Sequence, residues 1–329
     1  MSDTAPPPGR TGRASYSRAV PVVVSRDDVV RAAETIRGRV HRTPTFSASS
    51  LGKVVLKAEL FQKTGSFKVR GVLNKLASLS PEEKARGVIG ISAGNHAQAL
   101  AWGAAREGID CLVVMYRGAS ETKVAATRAY GAAVDLEARD AAEAFERLHR
   151  HVEETGRTLV HPFDDPAVIA GQGTVGLELL EDAPRVETLL VAAGGGGLSA
   201  GIAAAAAGRA RVVAVEPAGS TAVHDALAAG HPVAVEPRSI ADGLSAPFAG
   251  ETALATLQAH GAESLLVTEE AIEEAFRWLY ERAKLAAEPA AATALAPLLT
   301  GEVAPRGVGV VVSGGNVSPE TASAILARR

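Results

Sequence analysis

Short runs rich in valine, isoleucine and leucine alternate with longer amphipathic or alanine-rich segments along this chain. The short runs are typical of strands buried on both faces, and the longer segments of helices that cross between parallel strands. The pattern predicts an α/β protein with mostly parallel sheets and helices on both faces. The predicted strands are 54–58, 88–92, 111–115, 134–136, 158–160, 189–192, 212–216 and 308–313. The predicted helices are 26–38, 67–79, 96–108, 141–154, 166–180, 198–207 and 269–287.

Length and charge restrict the function classes. The chain has 329 residues, 47% of them hydrophobic, which allows one large lobe or two medium lobes. Its formal net charge is -3 and it has no dense Lys/Arg tract, so we expect neither a nucleic-acid nor a membrane partner. The first 18 residues lack the apolar core of a signal peptide, which predicts a cytoplasmic protein, and residues 1–20 are expected to be disordered. The single cysteine, Cys111, lies in an apolar run and is expected to be a buried strand residue.

Four glycines, Gly194, Gly195, Gly196 and Gly197, follow the predicted strand 189–192 and precede a predicted helix. Without Cβ atoms, such a loop lets backbone N–H groups converge at a helix N-terminus, which is a geometry that binds phosphate. Open α/β sheets place ligands at this junction of strand and helix. The sequence therefore predicts a phosphate site here.

The four glycines do not by themselves show which phosphate compound binds. Gly195, Gly197 and Ala200 also match the dinucleotide spacing G-x-G-x-x-A, and Glu216 ends the next predicted strand, where a ribose-binding acid is expected. An NAD-dependent dehydrogenase is therefore an alternative, although the unit lies in the middle of the chain. A Walker loop is excluded because no Gly-Lys-Ser/Thr follows.

Three further segments sit at predicted junctions of strand and helix. Lys68 is flanked by apolar Phe67 and Val69, and burial among apolar groups lowers the pKa of a lysine and makes its amine a nucleophile toward an aldehyde. A solvated surface lysine is the alternative. The turn 92–96 presents a hydroxyl, an amide, an imidazole and free N–H groups, which suit a carboxylate. Ser313 closes the last long strand, where its hydroxyl can meet a ligand lying across the strand ends.

These segments resemble those of fold-type II pyridoxal-phosphate enzymes, in the group of serine/threonine dehydratases and serine racemases. The segment 61–71 is similar to the cofactor-lysine segment, 92–98 to the asparagine loop, 194–198 to the phosphate cup and 313–316 to the pyridine-side segment. The resemblance spans about 43–316. It implies a two-lobed fold like that of tryptophan synthase β, in which 21–86 and 159–329 form a large lobe and 87–158 a smaller inserted lobe.

The resemblance also implies roles for individual residues. Lys68 forms a Schiff base with pyridoxal 5'-phosphate and then acts as the base on the substrate Cα, while Ser92, Asn95 and His96 hold the substrate carboxylate. The implied cofactor contacts are Phe67, Lys68, Asn95, Gly194, Gly195, Gly196, Gly197, Leu198, Gly243 and Ser313. Ser313 faces the pyridine nitrogen of the cofactor in this family pattern, and a hydroxyl at that place suits elimination. The implied reaction is dehydration of a small β-hydroxy amino acid, L-threonine or L-serine, to a 2-oxo acid and ammonia.

Departures from the family pattern narrow this expectation. Ala93 stands where racemases carry a second serine, and Phe163 stands where they tend to carry an asparagine, so dehydration is favoured over racemisation. Other dehydratases, such as one for 3-hydroxyaspartate, a racemase and a catalytically inactive relative remain alternatives.

A cation site known in some relatives is only partly matched. Glu216 and the carbonyl of Ser220 match it, but Ala222 replaces an aspartate. The loss of one charged oxygen ligand disfavours a divalent cation, with Asp225 as a candidate substitute. The resemblance further implies a homodimer. Because the sequence stops at Arg329, no regulatory C-terminal domain and no feedback by isoleucine are expected.

Overall fold

The computed structural model describes residues 21–328, so the predicted disordered tail at 1–20 lies outside the described residues. Ten strands form within that range. They are β1 (Thr45–Ser47), β2 (Lys53–Ala58), β3 (Val88–Ile91), β4 (Cys111–Tyr116), β5 (Ala133–Ala138), β6 (Thr158–Leu159), β7 (Thr188–Ala192), β8 (Arg211–Pro217), β9 (Glu263–Val267) and β10 (Arg306–Val312).

The strands build two sheets. The larger has six strands in the order β1-β2-β10-β7-β8-β9, and the smaller has four in the order β5-β4-β3-β6. Only β1 runs antiparallel to its neighbour, while the other described pairings are parallel. All strands of the smaller sheet come from the segment 88–159. The predicted α/β class with mostly parallel sheets is confirmed.

Fourteen α-helices lie among the described residues. They are α1 (Arg26–Thr35), α2 (Lys68–Ala77), α3 (Pro81–Arg86), α4 (Asn95–Glu107), α5 (Glu121–Ala129), α6 (Ala141–Thr155), α7 (Pro166–Asp182), α8 (Gly197–Ala206), α9 (Ala222–Ala229), α10 (Glu251–Ala259), α11 (Glu269–Trp278), α12 (Pro289–Ala292), α13 (Ala296–Leu299) and α14 (Pro319–Ala327). Within residues 21–328, no helix is long and apolar enough to cross a membrane.

Most of the predicted strands and helices are present close to their predicted positions. All eight predicted strands are present, and Cys111 is buried at the start of β4. The sequence missed β1 and β9, and it extended the helix from 269 too far. That helix ends at Trp278, a π-helical turn follows, and Lys284 then takes a left-handed conformation with φ of 60° that stops it.

The centre of the large sheet is buried on both faces. Along β7, Leu189 and Val191 pack into the core on one side, whereas Leu190 and Ala192 pack into the core on the other. Successive side chains of a strand point to opposite faces, so an uninterrupted apolar run fits a strand covered on both sides.

Three helices meet through glycines rather than side chains. A Cβ added to Gly171 of α7 would lie 2.6 Å from Gly71 Cα of α2. A Cβ added to Gly201 of α8 would lie 2.6 Å from the backbone nitrogen of Gly173, also in α7. Such distances leave no room for a methyl group. Helix α7 therefore lies directly between α2, which begins at Lys68, and α8, which begins at Gly197.

Candidate active site

Lys68 is the first residue of α2, and the chain before it is anchored to the end of β10. Ser66 forms an isolated bridge with Gly314, and the Phe67 N–H donates to the Ser313 carbonyl at 3.1 Å. The Lys68 amine donates to the Pro162 carbonyl at 2.7 Å. Burial lowers the pKa of Lys68 to about 8, against the opposing effect of the Glu288 carboxylate. A sizeable fraction of the amine is thus neutral near physiological pH.

The turn before α4 leaves backbone donors available beside open space. The Gly94 N–H donates to Ser92 Oγ at 3.1 Å, and α4 begins at Asn95 without a side-chain cap. The first N–H groups of a helix have no partner within the helix. A Cβ added to Gly94 meets nothing within 4 Å, so a small anion has room to reach these donors.

The Asn95 amide is held from both sides. Its Nδ2 donates to Glu288 Oε1 at 2.8 Å, and its Oδ1 accepts from Asn316 Nδ2 at 2.8 Å. Asn316 Nδ2 also donates to the Thr64 carbonyl at 2.8 Å. These contacts fix which amide atom of Asn95 points in each direction.

Glu288 was not predicted from the sequence. Its side chain is buried, and burial raises its pKa to about 7 in spite of the hydrogen bond from Asn95. The available signal was a lone acid within the apolar run 285–292. An isolated carboxylate in such a run has to find hydrogen-bond donors when the run is buried.

Two histidines near Lys68 are neutral. His96 Nε2 lies 2.8 Å from the Val160 carbonyl and therefore donates to it, and burial lowers its pKa to about 3. His161 Nδ1 accepts the Asp164 N–H at 2.8 Å, and burial lowers its pKa to about 4. The imidazole of His96 brings no positive charge to a carboxylate, so its predicted role depends on its backbone N–H.

The predicted phosphate loop lies between β7 and α8. Gly196 has a φ of 89°, a conformation that favours glycine, and α8 begins at Gly197. A Cβ on Gly194 would lie 3.1 Å from the Leu244 backbone, and one on Gly195 would overlap the Phe163 ring. The loop is glycine-rich because its neighbours approach the backbone directly. Leu198 follows in the first turn of α8 and is buried.

Ser313 and Gly243 complete the predicted set. Ser313 directly follows β10 and is buried. Gly243 lies in the 3₁₀ turn Asp242–Leu244, and a Cβ on it would be 3.9 Å from Glu288 Oε1. Gly243 is therefore close to the group formed by Asn95 and Glu288.

The side chains of the weak cation candidates make contacts within the protein. The buried Glu216 carboxylate accepts the N–H groups of Val223 at 2.8 Å and His224 at 2.7 Å, and burial raises its pKa to about 8. Ser220 Oγ donates to the Leu244 carbonyl at 2.9 Å, and Asp225 accepts from Thr221. No group of three or more His, Cys, Asp or Glu side chains in residues 21–328 could hold a metal.

The occupied Glu216 also weighs against the dinucleotide alternative. A ribose-binding acid has to offer a free carboxylate oxygen at the strand end. Both Glu216 oxygens accept backbone N–H groups, and the residue is fully buried. Glu216 thus cannot perform the role that the dinucleotide spacing assigned to it.

Unsatisfied polar atoms accumulate around Lys68 and Asn95. Among the described residues, four buried side-chain atoms lack a hydrogen-bond partner: Thr64 Oγ1, Ser66 Oγ, His96 Nδ1 and Glu269 Oε1. The first three lie in the segments around Lys68 and Asn95, and a buried polar group without a partner calls for an explanation such as a bound molecule. A reactive amine, a glycine loop at a helix start and surplus polar atoms fit an aldehyde that carries a phosphate and ring polar groups.

Comparison with known proteins agrees with this arrangement. Residues 36–314 match the family model described as pyridoxal-phosphate dependent enzyme. The chain is 41% identical over 305 residues to L-threonine ammonia-lyase of Thermotoga maritima, covering 90% of this chain and 76% of that protein.

Two solved structures are similar as well. A threonine deaminase from T.th. superposes with a TM-score of 0.84 at 40% identity, covering 89% of this chain and 99% of that chain. Maize serine racemase superposes with a TM-score of 0.87 at 35% identity, covering 92% of this chain and 97% of that chain. A family match across most of the chain shows that this chain belongs to the pyridoxal-phosphate dependent enzymes.

Proposed function

We propose that this enzyme is an ammonia-lyase that dehydrates L-threonine or L-serine to a 2-oxo acid and ammonia. The observation that carries the proposal is the Lys68 amine, whose pKa is lowered to about 8 and which donates to the Pro162 carbonyl. The activities named for the Thermotoga maritima relative and for the T.th. threonine deaminase support the same reaction.

The chain offers a partner for each polar part of pyridoxal phosphate. The N–H groups of the four glycines and Leu198 would hold the phosphate, with Phe67 and Gly243 beside the ring. Asn95 would bind the ring hydroxyl, and Ser313 would face the ring nitrogen. When bound, the cofactor supplies an electron sink that acidifies the substrate's Cα–H bond.

Lys68 performs the proton transfer in this proposal. Its amine takes the Cα proton, and the Pro162 carbonyl, 2.7 Å away, orients the nitrogen. Ser92 Oγ and the backbone N–H groups of Asn95 and His96 hold the substrate carboxylate at the start of α4. A neutral Lys68 is the form that can accept a proton, and burial favours that form.

Elimination rather than racemisation follows from the residues on the opposite side. A racemase needs a second acid or base facing the substrate from across Lys68. Ala93 brings only a methyl group to the position where a second serine would stand. The high TM-score to maize serine racemase reflects a shared fold, which does not decide the reaction.

We also propose a division into lobes and an assembly. Residues 21–86 and 159–329 would form a large lobe, and 87–158, which holds nearly all of the smaller sheet, would form an inserted one. The resemblance to the family supports a homodimer, and the proposal includes a cytoplasmic location. Light scattering coupled to size exclusion would test the dimer, because a monomeric mass contradicts it.

Replacing the lysine tests the proposed function. Purified protein should absorb visible light because of bound cofactor, and borohydride should fix that cofactor on the chain. Lys68→Ala should abolish borohydride fixation and lower 2-oxo acid release from threonine or serine by on the order of a thousandfold or more.

The control is Lys75→Ala, in the same helix. Lys75 pairs with Asp165 at 2.7 Å, and its variant should retain cofactor and turnover. A colourless protein that binds NADH, or a Lys68→Ala variant that still fixes cofactor with borohydride, would contradict the proposal.

A further inference from the structure

Three aromatic rings form a row that begins at Phe163, the residue after the carbonyl that accepts from Lys68. We call Phe145, Phe163 and Phe248 the aromatic row. The Phe163 and Phe248 ring centroids are 5.8 Å apart and the rings are steeply inclined, and Phe145 lies 6.5 Å from Phe248. Phe163 and Phe248 are half-buried, so each leaves part of its ring available to a ligand. Edge-to-face rings of this kind form a stable apolar surface.

Phe163 lies between the amine and the glycine loop. The residue before it, Pro162, accepts the hydrogen bond from the Lys68 amine at 2.7 Å. A Cβ on Gly195 would overlap the Phe163 ring, so that ring touches the loop. In the proposed reaction the substrate Cα lies at the Lys68 amine, and a group attached to the β-carbon lies two bonds from Cα. The Phe163 side chain, one residue after the carbonyl that holds the amine, is placed to reach that group.

The turn that carries Phe163 is fixed by three sets of hydrogen bonds. His161 Nδ1 accepts the N–H groups of Phe163 at 3.4 Å and Asp164 at 2.8 Å. The Asp164 carboxylate caps α10, accepting from Thr252 at 2.8 Å and from two adjacent N–H groups. Asp165 caps α7 in the same way. A ring held by such a turn keeps its position when substrates differ.

The segment that carries Phe248 is held at both ends by the helices beside the smaller sheet. At one end Asp242 pairs with Lys123 of α5, and at the other Phe248 packs on Phe145 of α6. Two contacts about six residues apart restrict how far this segment can shift. Phe163 and Phe248 thus face the site from two separately anchored segments.

The charges around the aromatic row disfavour a second carboxylate. The charged groups that act on the adjacent His161 ring are Asp164, Asp165 and Lys68, and the imidazole itself is neutral. A carboxylate on the β-carbon would lose hydration against aromatic carbon, and the neutral His161 ring offers it no counter-charge. A methyl group at that place would instead gain apolar contact.

We propose that Phe163 and Phe248 determine the substrate class by forming an apolar wall at the β-carbon. The wall accepts a hydrogen or a methyl group and rejects a charged group, so L-threonine is preferred over L-serine and 3-hydroxyaspartate is excluded. The proposal rests on the proposed function and adds to it the choice among β-hydroxy amino acids.

Kinetic selectivity of the cofactor-loaded enzyme tests the wall. The wild-type kcat/KM for L-threonine should exceed that for L-serine by about tenfold, the usual discrimination for one methyl group in an apolar pocket. In Phe163→Asn this ratio should fall toward one, and kcat/KM for 3-hydroxyaspartate relative to threonine should rise about tenfold. Unchanged ratios in a cofactor-loaded Phe163→Asn variant would overturn the proposal.

Phe163→Leu is a control for misfolding of the Phe163→Asn variant. It removes the ring but keeps an apolar side chain, so threonine preference should drop while 3-hydroxyaspartate stays excluded. Phe276→Leu makes the same change in the buried core of α11 and should leave both ratios as in the wild type. Equal changes in both leucine variants would show a general packing effect and would overturn the wall.

Binding of amino acids that lack the β-hydroxyl separates the wall from the proposed reaction. Calorimetry with L-alanine, L-2-aminobutyrate and L-aspartate should give the tightest Kd for 2-aminobutyrate and the weakest for aspartate. Phe163→Asn should reduce both differences. Absence of turnover in the wild type, together with this order of binding, would refute the proposed function and uphold the wall. Kd differences of the same size in the wild type and in Phe163→Asn would refute the wall.

Discussion

Two buried polar regions share helix α2 and differ in how their charges are compensated. Arg70 is fully buried, and its guanidinium lies 2.8 Å from Glu59 and 2.7 Å from Glu178. Lys57, also fully buried, adds a contact of 2.7 Å to Glu178. We call these four residues the Arg70 network. Two positions earlier, Lys68 donates to a backbone carbonyl and has neutral histidines nearby.

The pKa shifts in the two regions have opposite signs. Burial disfavours the charged form of Arg70, but Glu59 and Glu178 outweigh that effect and raise its pKa. Burial lowers the pKa of Lys68, and the more distant Glu288 does not reverse it. The difference teaches that burial alone does not decide the charge of a group. A buried cation beside carboxylates keeps its charge, whereas a buried amine without a counter-ion in contact more readily becomes neutral and reactive.

Breaking the Arg70 network should have the largest effect on stability. Arg70→Met leaves buried Glu59 without its ion-pair partner and takes one of two partners from half-buried Glu178. Removing one partner of a buried pair typically costs about 3–5 kcal/mol of unfolding free energy. Urea denaturation of the cofactor-free protein measures this cost. Arg42→Met removes exposed ion pairs with Glu181 and Asp182 and should cost less than about 1 kcal/mol. Equal costs for the two arginines would show that burial adds nothing to the stabilising effect of the Arg70 network.

Glu288→Gln should change the pH dependence of stability. The pKa of Glu288 is raised to about 7 in the folded protein, above the value of 4.5 for a free glutamate. The folded state therefore binds the proton more tightly, so the unfolding free energy of the wild type falls as pH rises through this interval. The loss between pH 4.5 and 7 amounts to about 3 kcal/mol, and the glutamine variant lacks it. Parallel stability curves from about pH 5 to 8 would contradict this account.

Lys68→Met should stabilise the cofactor-free protein by a smaller amount. The Lys68 amine has a pKa of about 8 when folded, below the value of 10.5 for a free lysine. At about pH 7 it is therefore protonated at a cost of about 1–2 kcal/mol, reduced because the side chain is only half-buried. The wild type should regain this difference as pH rises from about 8 to 10.5. Lys75→Met, measured alongside, should not be more stable than the wild type at about pH 7. A destabilised Lys68→Met would place Lys68 with the paired charges.

The sequence predicted the fold where a buried strand gives a continuous run of apolar residues. Strands such as β4 and β7 are covered on both faces, so their apolar runs are unbroken. The edge strand β9 was missed because Glu263 and half-buried neighbours interrupt its pattern, and β1 has only three residues. Lys284 ended a predicted helix without a glycine or proline to signal it.

The candidate site was predictable where a particular residue type is required by the local backbone geometry. Glycines 194–197, Lys68 and Asn95 occur at starts of helices, and the glycines and Asn95 also follow the ends of parallel strands. Glu288 and Phe248 come from segments without such a signal, and their positions depend on long-range packing. The neutral state of His96 likewise depends on the distant Val160 carbonyl, which no local pattern reveals.

The glycine crossings of α7 with α2 and α8 and the aromatic row differ in how readily they accept substitutions. Backbone touches backbone there, so the span from the lysine to the phosphate loop has no adjustable side chain and no substitution could alter it gradually. The aromatic row includes side chains on turns, where single substitutions are tolerated without moving helices. Descendants of such a scaffold can diversify their substrates while inheriting an unchanged frame for the cofactor.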